Sequence, residues 1–129
     1  MQNKYFKALA LVIALILIDQ FSKYYFLDVI EIATINRNLA FSIRSLSPIV
    51  VNLSSFTLFV LVIFIYYRKK VTNLSVMLIA AGAISNIVDR FYRLGVVDFI
   101  DLKFWPSFNL ADSFIFIGCI LLIRELIRD

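Results

Sequence analysis

One uncharged run decides the fold: residues 71–88 read VTNLSVMLIAAGAISNIV, between Lys70 and Asp89. An α-helix needs about 20 mostly apolar residues to cross the hydrocarbon core of a bilayer. The run just meets this length, and it therefore predicts a membrane-spanning helix that ends beside a charged residue.

Three further apolar runs predict a bundle of four spanning helices. Residues 45–67 are uncharged and long enough to span by themselves. The first run, residues 8–18, continues its apolar character beyond Asp19, and the fourth, residues 113–123, is preceded by Asp112. We therefore predict an all-α membrane protein with one four-helix transmembrane domain over residues 1–129, acting as a monomer.

The composition excludes several classes of function. Of 129 residues, 62% are hydrophobic and only 17% charged, and the mean hydropathy of +0.91 lies outside the range of soluble globular domains. The net charge is +4, but the basic residues lie mostly between apolar runs, so no nucleic acid is expected as a partner. The chain has no histidine and only Cys119 as a cysteine, so we expect no metal site and no cofactor.

The basic residues indicate the orientation in the membrane. They cluster at Lys4 and Lys7, at Arg68, Lys69 and Lys70, and at Arg124 and Arg128. Four spans place all three clusters on one side, which the positive-inside rule assigns to the cytoplasm. We therefore expect both termini in the cytoplasm and residues 27–46 and 90–108 outside.

Two aspartates interrupt the first and fourth runs at matching depth. Asp19 lies twelve residues after Lys7, and Asp112 lies twelve residues before Arg124. At ~1.5 Å per residue, both carboxylates lie ~18 Å from the cytoplasmic charges. A carboxylate at membrane depth costs at least ~2.5 kcal/mol, so it indicates a functional site.

Asp98 is the natural companion of Asp112. It follows Gly95 and two valines in a short segment of extended character, and Pro106 marks a turn before a helix that Asn109 could cap. Two carboxylates that meet across this connection cannot both ionise cheaply, so they would share a proton. One could then activate a water while the other polarises a carbonyl, which is peptide hydrolysis without a metal. The alternative is structural hydrogen bonding alone.

Further polar residues share helix faces. Asp19 and Lys23 are i,i+4, and Asn86 is i,i+3 and i,i+4 with Asp89 and Arg90. Such groups could hold helices together in a membrane, or they could support a site. Both interpretations stay open from these residues alone.

Five stretches together resemble a known family. They read DQFSK at 19–23, GAISNIVDR at 82–90, GVVDFID at 95–101, WP at 105–106 and FNLADS at 108–113. In this order they resemble the lipoprotein signal peptidase, or signal peptidase II, family across all the predicted spans.

The resemblance implies an aspartic endopeptidase of the bacterial cytoplasmic (inner) membrane. Such an enzyme cuts diacylglyceryl-modified prolipoproteins just before the lipidated cysteine, so lipid-modified prolipoprotein and membrane lipid are the implied partners. The family's catalytic aspartates match Asp98 and Asp112. Its residues that shape the site or hold substrate match Asp19, Lys23, Asn36, Asn86, Asp89, Arg90 and Asn109. The resemblance also implies a small extracytoplasmic β-rich element between the first two helices, for which residues 29–35 have the β-branched character of a strand.

The chain departs from the family pattern in three places. The family usually has Asn-x-Gly-x-Ala-Phe, whereas residues 36–41 read NRNLAF. Counting back from Phe41 puts Asn36 on the family asparagine and Asn38 on the glycine, although Asn38 could be the functional residue in a shifted register. Ser85 stands where the family has glycine, and the outer segments are short, so the element that covers the site is expected to be reduced.

Two other functions remain as alternatives. A small proton-coupled transporter or channel subunit could use Asp19 and Asp112 as a proton relay. An inactive homologue could act as a binding protein. Only three glycines and two prolines are present, and neither proline interrupts a span, which disfavours the broken helices of a transporter.

Overall fold

The computed structural model describes residues 2–37, 60 and 73–128, which form three long helices and a small sheet. Helix α1 spans Gln2–Tyr24, α2 spans Asn73–Arg93 and α3 spans Leu110–Arg128. Within these residues, two helical segments are long and apolar enough to cross a membrane, Tyr5–Val29 and Leu74–Arg93. The architecture is therefore mostly helical, as predicted.

The runs at residues 8–18 and 113–123 fall inside α1 and α3, and the described part of the run at 71–88 falls inside α2, but the helix bounds differ. Helix α2 continues one turn beyond Asp89 to Arg93, and α3 begins at Leu110, ahead of the uncharged run. The predicted second span, residues 45–67, lies outside the described residues except for Val60, which is helical. A hydropathy run stops at the first charge, whereas a helix continues as long as its polar groups find partners.

Helices α2 and α3 pack closely because small residues lie at their contact. A Cβ atom on Gly82 would collide with the carbonyl oxygen of Ala111. A Cβ on Gly118 would lie 2.9 Å from the carbonyl oxygen of Ser75. Small residues allow helix backbones to approach each other in a membrane, where van der Waals packing drives association. This packing brings the first turn of α3 against the middle of α2.

The sheet connects two segments that are distant in sequence. Strand β1 (Thr34–Asn36) pairs antiparallel with β2 (Val96–Asp98), with Thr34 opposite Asp98 and Asn36 opposite Val96. The predicted strand at residues 29–35 was therefore placed too early, because the backbone forms a π-helical turn at Tyr25–Val29 before it extends. The β element was predicted to lie between the first and second predicted spans. This prediction was incomplete, since only β1 follows α1 directly, whereas β2 follows α2, which is the third predicted span.

Gly95 permits this pairing. It precedes β2, and a Cβ atom there would lie 2.7 Å from Cγ2 of Ile35 and 2.9 Å from the carbonyl oxygen of Asn36. Both distances are shorter than a real contact allows, so the sheet needs glycine at this position. The sheet in turn holds Asp98, its last residue, above the helices.

Candidate active site

Asp98 is buried, with 4% of its surface exposed, and accepts hydrogen bonds at both carboxylate oxygens. Its Oδ1 accepts from Nδ2 of Asn109 at 3.0 Å, and its Oδ2 accepts from Nδ2 of Asn36 at 3.1 Å. The second bond crosses the sheet from β1. Asp98 is thus fixed between the sheet and the beginning of α3, as its extended segment predicted.

Asn109 caps α3, as predicted, and it does so reciprocally with Asp112. Its Oδ1 accepts from the backbone N–H of Asp112 at 2.9 Å, and its own backbone N–H donates to Oδ2 of Asp112 at 3.2 Å. This is a capping box, in which the third helical residue reaches back to the cap. Asn109 therefore contacts both predicted catalytic carboxylates, one through its side chain and one through its backbone.

Asn86 holds the other oxygen of Asp112. Its Nδ2 donates to Oδ1 of Asp112 at 2.9 Å, while its Oδ1 accepts from Nζ of Lys23 at 3.0 Å. An ammonium group can only donate, so Lys23 determines which end of the amide faces Asp112. Lys23 therefore fixes the orientation of the Asn86 amide, and through it the hydrogen bond that Asn86 donates to Asp112.

Lys23 lies at the centre of a second cluster of buried charges, which we call the lysine cluster: Asp19, Lys23, Asp89 and Arg93. Nζ of Lys23 lies 2.7 Å from Oδ2 of Asp19 and 2.8 Å from Oδ2 of Asp89. With Asn86 as the third acceptor, its three protons each have one partner. The predicted i,i+4 pairing of Asp19 and Lys23 is confirmed.

Asp19 also binds the beginning of α3. Its Oδ1 accepts the backbone N–H of Ala111 at 2.8 Å, one residue before Asp112. The first turn of a helix carries unsatisfied N–H groups and partial positive charge, so a carboxylate is stabilising there. The contact confirms that Asp19 and Asp112 lie at the same level.

Arg90 is placed differently from the other predicted site residues. It is partly buried and interacts electrostatically with Asp112, Asp89 and Asp98, but within the described part of the chain it makes no hydrogen bond or ion pair. The alternative asparagine, Asn38, lies outside the described residues. Among the described side chains, no group of three His, Cys, Asp or Glu could hold a metal ion.

Three members of these networks were missed by sequence reasoning. Gln20 donates from Nε2 to Oδ1 of Asp89 at 2.9 Å and to Oγ of Ser85 at 2.9 Å. Ser85 donates to Oδ2 of Asp19 at 2.6 Å, so it is more than a small residue in a helix contact. Arg93 pairs with Asp89 at 2.7 Å. Two signals were available in the sequence: Gln20 is a polar residue next to Asp19 at the end of an apolar run, and Arg93 is i,i+4 with Asp89.

The environment of Asp98 favours proton exchange. Burial raises the pKa of this carboxyl from 3.8 to about 6, the hydrogen bond from Asn36 opposes the increase, and the nearby charge of Asp112 adds to it. Every carboxylate oxygen has two lone pairs, so the oxygens of Asp98 and Asp112 can accept a further proton or water beside the bonds described. The arrangement can therefore hold one carboxyl protonated beside an ionised one.

Comparison with known proteins agrees with this geometry. The family model described as signal peptidase (SPase) II matches residues 11–128. The lipoprotein signal peptidase of Borreliella burgdorferi is 33% identical over 151 aligned positions, which cover 92% of this chain and 88% of the relative. That of Borrelia turicatae is 37% identical over 140 positions, covering 84% and 82%.

A solved structure supports the same assignment. A bacterial membrane enzyme superposes with a TM-score of 0.83 at 25% identity, covering 95% of this chain and 88% of the other. The chain therefore belongs to the signal peptidase II family, a family of membrane aspartic endopeptidases.

Proposed function

We propose that the chain removes the signal peptide from lipid-modified bacterial prolipoproteins, with Asp98 and Asp112 as its acid–base pair. One observation carries the assignment: Asn109 donates to both carboxylates, at 3.0 Å to Asp98 and at 3.2 Å to Asp112. Within the described part of the chain, the direct donors to this pair are neutral amide or backbone N–H groups. Because these donors are uncharged, the repulsion between the two carboxylates favours the sharing of one proton.

The chemistry follows from that shared proton. The ionised carboxylate removes a proton from water, whose oxygen bonds to the scissile carbonyl carbon, while the protonated carboxyl donates to the carbonyl oxygen. When the tetrahedral intermediate collapses, the C–N bond breaks and the leaving amine takes a proton from the protonated carboxyl, while a hydroxyl of the intermediate returns its proton to the other carboxylate as the carbonyl re-forms. The carboxylates then share one proton again, and no covalent intermediate forms.

The neighbouring residues divide into two roles in this proposal. Asn86 and Asn109 orient the carboxylates, and the ion pairs of Asp19, Lys23 and Asp89 hold α1, α2 and the beginning of α3 in register. Arg90 and Asn36 would hold the substrate backbone, since Asn36 donates to Asp98 and Arg90 interacts electrostatically with both carboxylates. These roles account for every predicted site residue.

The rival proton relay is not favoured by these contacts. A relay through Asp19 requires its carboxylate to exchange protons with a path. Its oxygens instead bind Lys23, Ser85 and the backbone N–H of Ala111. Asp19 is thus fully used in holding helices together.

The chain would work as a single monomeric domain of four spanning helices in the cytoplasmic membrane, with both termini in the cytoplasm. The site would then face the outer leaflet, where the diacylglyceryl chains of the substrate hold the scissile bond. Single-cysteine labelling of intact cells, in a Cys119→Ala background, tests this orientation. An impermeant maleimide should label Arg37→Cys and spare Lys69→Cys, and the reverse pattern contradicts it.

The catalytic assignment is tested with purified protein and a diacylated lipobox peptide in detergent. Asp98→Asn and Asp112→Asn should each abolish measurable cleavage, because an amide cannot act as the shared-proton base. General acid–base catalysis contributes ~10²–10⁴-fold, so the loss should be of at least that order. Elution volume and thermal unfolding establish that the variants remain folded.

Asp101 provides a matched control on the same loop. It lies three residues after Asp98, its side chain is 51% exposed, and within the described residues it binds only Lys103. Asp101→Asn should cleave at the wild-type rate. Near wild-type turnover in either dyad variant, or an equal loss in Asp101→Asn, would show that the pair is not the acid–base pair.

A further inference from the structure

A short hairpin connects Asp98 to Asn109, and we call residues 99–108 the outer hairpin. Its ends are closed by two backbone bonds, from Ile100 N–H to Phe108 O at 2.9 Å and from Phe108 N–H to Ile100 O at 3.1 Å. A third bond joins Phe99 N–H to Phe108 O at 3.1 Å. The base of the hairpin is therefore closed directly beside Asp98 and Asn109, two residues of the candidate site.

The tip of the outer hairpin satisfies its polar groups internally. The carboxylate of Asp101 accepts the backbone N–H of Lys103 at 2.8 Å and its Nζ at 2.7 Å. Phe104 N–H donates to Leu102 O at 2.9 Å, and Lys103 has a φ of 67°. This three-residue turn with positive φ is uncommon outside glycine. The turn pairs its polar groups with one another, and it leaves its apolar side chains without a role in that pairing.

Three large apolar side chains of the tip are exposed to different degrees. Phe104 is 85% exposed, Trp105 51% and Leu102 45%. A soluble surface would rarely present three adjacent large apolar side chains in a closed turn. The end of α2 continues this character, since Phe91 and Tyr92 are 81% and 83% exposed inside the apolar segment Leu74–Arg93. Large exposed apolar side chains thus lie at the end of a membrane-spanning segment and again at the hairpin tip, on either side of the buried strand β2 along the chain.

We propose that the outer hairpin inserts its tip into the boundary between lipid headgroups and acyl chains, and that this contact sets the depth of Asp98 and Asp112. Tryptophan and tyrosine are enriched at this boundary, and a basic side chain can extend from it to lipid phosphates. Lys103 is suitably placed, with 86% of its side chain exposed. The occupant of this surface is therefore the lipid bilayer itself.

The single tryptophan makes the proposal directly measurable. Trp105 is the only tryptophan in the chain and lies in the tip. We would reconstitute the full chain, without substrate, in phosphatidylcholine–phosphatidylglycerol vesicles. Lipids brominated on the upper part of the acyl chain should quench Trp105 strongly, and lipids brominated near the chain ends should quench it weakly. Aqueous acrylamide should have little access.

A matched pair of double variants tests whether the tip itself provides the contact. Leu102→Ser with Phe104→Ser should reduce quenching by brominated lipid and increase quenching by acrylamide. Phe6→Ser with Leu9→Ser removes similar side chains, 73% and 59% exposed, near the N-terminal end of α1. This control should leave the Trp105 signals unchanged.

Cleavage provides a second measurement, which rests on the proposed function. The tip variant should cleave a bilayer-embedded lipopeptide several-fold more slowly than wild type, and should keep its rate on the same peptide in detergent. The fluorescence result does not depend on activity, so failure of the proposed function and failure of this inference are distinguishable.

Two results would overturn the inference. One is a Trp105 that acrylamide quenches freely and brominated lipid does not. The other is a Trp105 that becomes protected only when lipopeptide is added, since the hairpin would then bind substrate and not the bilayer. An equal loss of cleavage in vesicles and detergent would remove the depth-setting role.

Discussion

Two neighbouring clusters of buried or partly buried carboxylates differ in the groups that donate to them. In the lysine cluster, Asp19 and Asp89 share the ammonium of Lys23 at 2.7 and 2.8 Å, and Arg93 adds a second cation at 2.7 Å from Asp89. In the candidate dyad, the donors to Asp98 and Asp112 are amide and backbone N–H groups. One cluster is neutralised by ion pairs, and the other is held in place by neutral groups.

Aspartate therefore has a structural role in the lysine cluster and a proposed catalytic role in the dyad. An ion-paired carboxylate fixes helices and has its charge matched, so it gains nothing from taking up a proton. A pair of carboxylates held by amides keeps its geometry while its repulsion favours sharing one proton. Asn86 connects the two, since it accepts from Lys23 and donates to Asp112.

The largest effect is expected from a substitution that removes the central cation of the lysine cluster. Lys23→Met leaves Asp19 and Asp89 without the ammonium they share, and removing one partner of a buried ion pair costs ~3–5 kcal/mol. We expect a large decrease in unfolding temperature in detergent and a low yield of folded protein. Lys7→Met, at an exposed position of the same helix, is the matched control and should change little.

The dyad should respond in the opposite way to loss of charge. Asp98→Asn removes a carboxylate whose ionisation is opposed by burial, so its unfolding temperature should stay near that of wild type although cleavage is lost. A thermally stable Lys23→Met, or an Asp98→Asn as unstable as Lys23→Met, would contradict the distinction between the clusters.

A smaller effect is expected from substitution of Asn36, whose Nδ2 donates to Oδ2 of Asp98. Asn36→Ala removes a buried hydrogen bond to a charged group, worth ~1–3 kcal/mol, so cleavage should decrease about tenfold or more. Glu31→Gln, an exposed change just before β1, should leave cleavage largely intact. If Asn38→Ala is the damaging change and Asn36→Ala is silent, the register counted from Phe41 is wrong.

The smallest effect concerns pH and isolates the electrostatics of the pair. Since the pKa of Asp98 is raised to about 6, the cleavage rate should decrease as the pH is lowered through about 6, where an ordinary aspartate would allow activity to near 4. The bond from Asn36 lowers this pKa, so Asn36→Ala should move the acidic limb to higher pH. A pH–rate profile of both proteins checks it, and a limb that is unchanged in the variant would show that Asn36 acts only on binding.

Local features of the site were predictable because they depend on a few neighbouring residues. The extended segment before Asp98 and the cap at Asn109 follow from Gly95, two valines and the residues after Pro106, and both are present. The pairing of Asp19 with Lys23 follows from helical spacing. Family membership followed from the order of five short stretches.

The sequence by itself determined the helical, membrane-embedded class of the chain, because hydropathy and charge spacing act over one helix at a time. Only the tertiary structure decided that β1 pairs with β2 across 62 residues, so that Asn36 reaches Asp98. It also decided that Lys23 orients Asn86, and that Gln20 donates to Asp89. These partners lie on different elements, and the close packing that brings them within hydrogen-bond distance is a property of the assembled helices, which no local pattern encodes.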